Sequence, residues 1–197
     1  MSSTNRGGQR RPQDYYRTPR WAVEALLNEL WGVTGPVLDP GCGDGAIVET
    51  LRDHGHTDLI GVEVDPTRAT LATPFCDRLL VGDFLSLDLD GQKVGTVIGN
   101  PPYCDAEAFV RHALYLTTPG GSVHMLLRLA FLAGQRRSRG GLWESLDAVR
   151  VLSRRPKFLE RGTDSADYAW ISWRKDRHPG AAHLWILPPE PLDTCHK

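Results

Sequence analysis

The chain has 197 residues, 41% of them hydrophobic and 24% charged, with a formal net charge of −1. That length supports one domain with a substantial core, and the composition is that of an ordinary soluble globular protein. No apolar run reaches the roughly 18 residues of a membrane helix, and the first residues lack the apolar stretch of a secretion signal, so a cytoplasmic protein with no membrane partner is expected.

Residues 1–13 are polar and carry Arg6, Arg10 and Arg11 without apolar periodicity, which predicts a flexible basic arm. From residue 14 onward a single domain is expected, with no separate target-recognition domain. Thr18 suits an N-cap and Pro19 a first helical position. Val23, Leu26, Leu27 and Leu30 then form one apolar stripe of a helix ending near Gly32. Short apolar runs follow at 36–39, 59–62, 78–81, 94–99 and 122–128, separated by helical patterns at 45–54, 66–71 and 105–117. Gly120-Gly121 reads as a break before the fifth strand, residues 135–141 as a loop, and 142–149 as a short helix. Val149–Leu152 and Tyr168–Trp173 are strands with no helix between them, so they pair antiparallel or leave the sheet, and His183–Leu187 is a candidate third. Short, continuously apolar strands alternating with helices mark a parallel sheet covered on both faces. The expected fold is therefore α/β and Rossmann-like, a mostly parallel seven-stranded sheet with helices on both faces and a C-terminal antiparallel hairpin.

Three strand ends carry chemistry. The first strand runs into Asp39-Pro40-Gly41-Cys42-Gly43-Asp44-Gly45. Glycines there allow unusual backbone angles and close approach to a ligand. The G-x-G-x-x-G spacing of a dinucleotide site is absent, and Asp39 and Asp44 would repel a pyrophosphate while favouring a cation such as a sulfonium-bearing amino acid. The second strand ends at Glu63, 22 residues after Gly41, where doubly wound sheets hydrogen-bond a ribose. The third is followed by Gly82-Asp83-Phe84, a carboxylate and a ring suited to adenine. The fourth ends in Asn100-Pro101-Pro102-Tyr103. The Asn100 side-chain oxygen and the Pro101 carbonyl can each accept a hydrogen bond from a planar –NH2, and Tyr103 offers a stacking face. Such an amino group is a poor nucleophile because its lone pair is delocalised. Two acceptors pull it toward tetrahedral geometry for an in-line displacement. The four cysteines (Cys42, Cys76, Cys104, Cys195) are scattered without a C-x-x-C pair, which predicts reduced thiols and no metal site.

This series resembles the S-adenosylmethionine-dependent amino-methyltransferases of nucleic acids, and most of all the small adenine-specific DNA methyltransferases of phages and prophages. The matching stretches are Asp14–Pro19, Asp39–Gly45, Gly61–Asp65, Gly82–Phe84, Asn100–Tyr103 and Gly162–Trp170, in the family's order. The resemblance implies S-adenosylmethionine as cofactor, with Tyr16 and Thr18 bordering its methionine end, Asp39 near the amino group, Glu63 on the ribose, and Asp83 with Phe84 around the adenine. It implies catalysis by Asn100, Pro101, Pro102 and Tyr103, with Tyr103 stacked on a base flipped out of the helix and Phe158 beside that base.

Charge distribution fits a polyanionic partner, and the resemblance implies that this partner is DNA. Residues 39–107 carry thirteen acids against four bases, and residues 128–161 carry nine bases against three acids. Arg136, Arg137 and Arg139 are the candidate phosphate contacts, supported by Arg154, Arg155 and Lys157. Two alternatives stay open: adenine methylation in RNA, and methylation of a glutamine amide in a protein such as a release factor.

Overall fold

The computed structural model describes residues 16–30, 32–156, 158, 166–177 and 180–188, with Arg136 described by its backbone alone. The expected basic arm, Asp14, Tyr15, Lys157, the stretch 162–165 and Cys195 lie outside the described residues.

The sheet is built from β1 (Val37–Pro40), β2 (Leu59–Glu63), β3 (Arg78–Val81), β4 (Val94–Gly99), β5 (Thr117–Arg128), β6 (Leu146–Leu152), β7 (Tyr168–Arg174) and β8 (His183–Leu187). Their order is β3-β2-β1-β4-β5-β7-β6-β8. The first five are parallel in register, β7 runs antiparallel between β5 and β6, and β8 lies parallel along β6. Every residue of β1, β2 and β4 is buried. This is why those strands read as unbroken apolar runs: helices cover both sides.

Helices α1 (Arg20–Leu27), α2 (Ala46–Asp53) and α3 (Pro66–Ala72) contribute Val23, Leu26, Ile47, Val48, Leu51 and Ala72 to one layer of core. Helix α4 (Ala106–Leu116) brings Phe109, Val110 and Ala113 to the other, together with Phe84, Leu89 and Leu142. The buried Trp170 indole donates to the Ala22 carbonyl at 2.7 Å and ties α1 to the sheet. After β1 the chain winds outward through β2 and β3; it then returns to place β4 on the other flank of β1. The strand order thus reverses between β1 and β4, and a crevice opens beyond their carboxyl ends.

Several local expectations give way to tertiary contacts. Gly120-Gly121 lies inside β5 and marks the expected break as a bulge: Thr117 pairs with Val94 and Ser122 with Thr96, so residues 118–121 leave the ladder before the regular pairing that begins at Ser122. A Cβ on Gly121 would stand 2.4 Å from Thr117 and 2.6 Å from the Gly95 carbonyl, so the strands meet there only without side chains. Residues 142–145 turn, with the Leu142 carbonyl accepting from the Trp173 indole at 3.0 Å, and the remainder of the expected short helix pairs with β7 as β6. Residues Gln135–Arg139 form a one-turn helix, α5, instead of a loop. Pro19, not Thr18, is the N-cap of α1. β8 joins the sheet as an eighth strand, one more than the seven expected.

Candidate active site

The glycine turn follows directly from β1. The Gly41 and Cys42 amides both donate to the Val62 carbonyl at 2.8 Å, which folds the loop over the end of β2. Gly41, Gly43 and Gly45 take φ values of 81°, 58° and 90°, in the left-handed region that glycine tolerates. Gly45 caps α2, and a Cβ there would stand 3.0 Å from both Ala72 and Phe75. Glu63 holds the turn from below. One carboxylate oxygen accepts from the Gly43 amide at 2.8 Å and the other from the Asp65 amide at 2.9 Å, with Arg68 within 3.3 Å.

The crevice is a cleft of about 860 Å³. Its lining includes Tyr16, Thr18, Asp39, Gly41, Glu63, Asp83, Phe84, Asn100, Pro102 and Tyr103. Gly43 and Pro101 are buried outside that lining. Asp39 is 1% exposed, and neither of its carboxylate oxygens has a hydrogen-bond partner among the described residues. Burial, with Cys76, Glu63 and Asp44 nearby, holds its carboxyl well above the usual carboxylate range. Two acceptors without donors at the wall of a cleft are suited to hold a cationic ligand. Asp83 caps the short turn that starts at Phe84 by accepting from the Leu85 amide at 3.0 Å, and Phe84 packs against Phe109 and His112.

Asn100 lines the same cleft, immediately after Gly99. A Cβ at Gly99 would lie 2.8 Å from Pro40 and 3.4 Å from the Asp39 carboxylate, so the glycine turn and the Asn-Pro-Pro-Tyr motif are direct neighbours. The Asn100 amide nitrogen donates to the Tyr16 carbonyl and to the Thr18 hydroxyl, both at 3.1 Å. A backbone carbonyl only accepts, so it identifies the NH2 end, and the amide oxygen must point the other way, where it accepts from the Tyr103 hydroxyl at 3.3 Å. The Thr18 hydroxyl oxygen accepts from Asn100, and α1 begins after Pro19 with no side-chain cap.

Beside Asn100 lies a group of rings. Tyr16 stacks on Tyr103 at 6.1 Å between centroids, Phe158 tilts against Tyr16 at 5.5 Å and meets Tyr168 edge-on at 5.1 Å, and Tyr168 is 5.7 Å from Tyr103. Arg128 lines the cleft above the Tyr103 ring and donates to the Tyr168 hydroxyl at 3.3 Å. Arg128 and Tyr168 were not singled out from the sequence. The signal was there for Arg128, which ends β5 at the edge of the sheet where Glu63 ends β2 and Asn100 follows β4. Arg17 was missed as well; it pairs with Asp44 at 2.8 Å and Glu49 at 3.1 Å and fastens the segment before α1 to the glycine turn.

The expected phosphate contacts are not all available. Arg137 donates to the Phe131 carbonyl at 2.8 Å and the Ala133 carbonyl at 2.6 Å and lies over the Phe131 ring, so it stabilises its own turn. Arg154 lies over Trp21 and Arg155 pairs with Asp167 at 2.9 Å. Arg139 is exposed.

No protein-family model matches the sequence. It is 36% identical over 99 residues to a type II methyltransferase, M.CvrRI, of Paramecium bursaria Chlorella virus XZ-6E, a stretch covering 48% of this chain and 26% of that protein. It is 37% identical over 71 residues to the type II methyltransferase M.TthHB8I of Thermus thermophilus, covering 35% of this chain and 16% of the relative. A release factor glutamine methyltransferase of Vibrio cholerae is 32% identical over 91 residues, 42% of this chain and 32% of that one. The matches thus span no more than about a third of these relatives' own length. Among solved structures, the M protein of the type I restriction enzyme EcoKI superposes with a TM-score of 0.65 at 17% identity, over 87% of this chain and 47% of that one. A protein of Listeria monocytogenes assigned to the class I S-adenosylmethionine-dependent methyltransferases gives 0.61 at 20% identity, over 85% and 62%. The chain therefore has the Rossmann-like fold of the class I S-adenosylmethionine-dependent methyltransferases and is a sequence relative of type II methyltransferases.

Proposed function

We propose that this chain transfers a methyl group from S-adenosylmethionine to the exocyclic amino nitrogen of an adenine in DNA. The observation that carries this reading is the clamped Asn100 amide. Tyr16 and Thr18 fix its nitrogen, so its oxygen is presented beside Tyr103, on the neighbouring strand end to the glycine turn.

The residues of the cleft fit the cofactor. Asp39 would accept from the methionine ammonium, ending the isolation of its two oxygens. Glu63 would meet the ribose, although both its oxygens already hold backbone amides, and each oxygen has a second lone pair for that contact. Asp83 and Phe84 would take the cofactor's adenine, and Tyr16 and Thr18 would border the methionine end. The cofactor supplies an electrophilic methyl group on a positively charged sulfur.

The chain's own part is alignment and electrostatics. The Asn100 oxygen and the Pro101 carbonyl accept from the target –NH2, aim its lone pair, and stabilise the positive charge that grows on nitrogen. No strong base is required, since the methylated amino group is acidic enough to lose a proton to solvent. Tyr103 stacks on the base, which must leave its duplex to reach this depth. Tyr16 and Tyr168 brace that ring, and Phe158 packs against both of them.

A second reading has a specific basis. A glutamine amide carries the same planar –NH2, and a release factor glutamine methyltransferase is among the relatives. The set of four rings beside Asn100 favours a flat base over a glutamine side chain, and adenine in RNA satisfies the same contacts. Methyl transfer from tritiated cofactor to duplex DNA, single-stranded DNA, RNA and release factor separates the three. Label recovered as N6-methyladenine from DNA is the expected result; label in RNA or glutamine alone overturns it. Asn100→Ala should lower kcat about 10²–10³-fold, as loss of one group that stabilises developing charge does elsewhere. Thr18→Val should lower it about 5–10-fold by releasing one hydrogen bond on the amide.

A further inference from the structure

Cys42 and Cys76 are 34 residues apart in sequence and share no motif, yet they converge. Both lie over Gly61 in the middle of β2. The position of a Cβ on that glycine is 2.7 Å from the Cys76 sulfur and 3.0 Å from the Cys42 sulfur. Glycine at 61 is what lets the two thiols occupy the same space.

Their surroundings differ. Cys42 is 6% exposed and lies inside the glycine turn, at the wall of the cleft. Cys76 is only half-buried and precedes β3. Arg52 flanks Cys76 on both sides, donating to the Phe75 carbonyl at 2.9 Å and pairing with Asp77 at 2.8 Å. We propose that Cys42 and Cys76 form a redox-modification site, in which a hydroperoxide converts the dithiol to a disulfide that distorts the glycine turn and weakens binding in the cleft.

The chemistry follows from that asymmetry. The adjacent Cys42 thiol and the Arg52 cation hold the Cys76 thiol below its ordinary value despite partial burial. The adjacent Cys76 sulfur, burial and Asp39 push the Cys42 thiol up. Cys76 is therefore the attacking thiolate, accessible and beside a cation, and Cys42 the resolving partner. The Cys76 thiolate attacks one peroxide oxygen and the O–O bond breaks. This yields a sulfenic acid and, from hydrogen peroxide, a hydroxide that takes up the proton lost when the thiol ionised and becomes water. The Cys42 sulfur then displaces hydroxide from the Cys76 sulfur, and its proton leaves with that hydroxide as a second water. Two thiols are oxidised by two electrons, and a small dithiol reverses the step. Cys104 is exposed but reacts differently: its thiol donates to Asp105 at 3.2 Å, and that carboxylate pushes it up.

Bond formation draws the sulfurs to about 2.05 Å, closer than any non-bonded contact. Cys42 stands between two glycines of positive φ, so the turn yields before β2 does. Gly41 at the cleft wall, and the Gly43 amide held by Glu63, move with it.

The weakening of cofactor binding rests on the function proposed above; the bond itself does not. The full chain is treated with hydrogen peroxide, digested without reductant and mapped by mass spectrometry, while S-adenosylhomocysteine is titrated calorimetrically before oxidation, after it, and after dithiothreitol. A linked Cys42–Cys76 peptide and an about tenfold rise in Kd, reversed by the dithiol, are expected. Cys76→Ser should keep the reduced protein's affinity and lose the response to peroxide. Free Cys42 beside an over-oxidised or unreacted Cys76 overturns the site, and a linked peptide with unchanged affinity overturns its effect on the cleft. Failure of the reduced protein to bind S-adenosylhomocysteine counts against the cofactor reading alone, because the peptide map still decides the bond.

Discussion

Asp39 shows how a single side chain can oppose stability and serve a site. Its two oxygens are buried without a donor, and its carboxyl is raised well above the usual range by burial first and by neighbouring acids next. A carboxyl raised in the folded state contributes stability at low pH, and that contribution is lost as pH rises through its folded value. The ligand-free protein therefore bears the cost of a buried carboxyl without donors, which an ammonium group would relieve. Asp39→Asn should raise the ligand-free Tm by about 2–6 °C, equivalent to roughly 1–2 kcal/mol, and weaken S-adenosylmethionine at least about tenfold. Calorimetric melting without ligand and titration with it measure the two arms; a fall in Tm would refute the account. Asp39 was legible from the glycine turn that contains it. The clamp on Asn100 was not, because Thr18 and Asn100 are 82 residues apart and nothing local in Thr18-Pro19 distinguishes a helix cap from a distant hydrogen-bond acceptor.

The strands carry a second polar feature that local patterning does not explain. Ser122 and His124 on β5, Ser172 on β7 and Arg150 on β6 are all buried. Arg150 donates to the Ser172 hydroxyl at 2.9 Å, and His124 is hydrogen-bonded to that hydroxyl through Nδ1 at 2.8 Å and to the Ser122 hydroxyl through Nε2 at 3.0 Å. The imidazole is neutral in this arrangement. Burial, then Arg150 and Arg174, lowers its pKa to about 3. A depressed base contributes stability above its unfolded value, near 6.5, and that stability is lost as pH falls toward the folded value. Unfolding free energy should decline by up to about 5 kcal/mol across that window, and His124→Gln, which keeps one donor and one acceptor, should flatten the decline. Urea titrations at pH 7.5, 6 and 5 (roughly spanning the upper part of the window) measure it, and an unchanged slope in the variant would sink the assignment. The same central strands show why a helix was expected at 142–149. The apolar spacing there is compatible with either state, and the open edge of β7, together with the Trp173 indole, selects the strand.

The segregation of acids around the glycine turn and bases after β5 predicts salt-dependent binding of a polyanion, with individual arginines differing by their partners. Arg137 is tied to its own turn by two carbonyls, so Arg137→Ala should lower stability more than affinity. Arg139 is exposed, and Arg139→Ala should reduce DNA affinity a few-fold at low salt and lessen the salt slope by about one. Fluorescence anisotropy over a range of salt concentrations measures both, and an unaltered slope would remove Arg139 from the interface. The alternation of strands and helices, the glycine turn, the strand-end acids and the Asn-Pro-Pro-Tyr motif were determined by the sequence alone, because each depends on residue types within a few positions. Only the tertiary structure decided which way the Asn100 amide faces, that Phe158, Tyr16, Tyr103 and Tyr168 form one group, that Arg137 is committed elsewhere, and that β8 completes the sheet. Those features depend on contacts between segments far apart in the chain, and their energies exist only after the segments have packed.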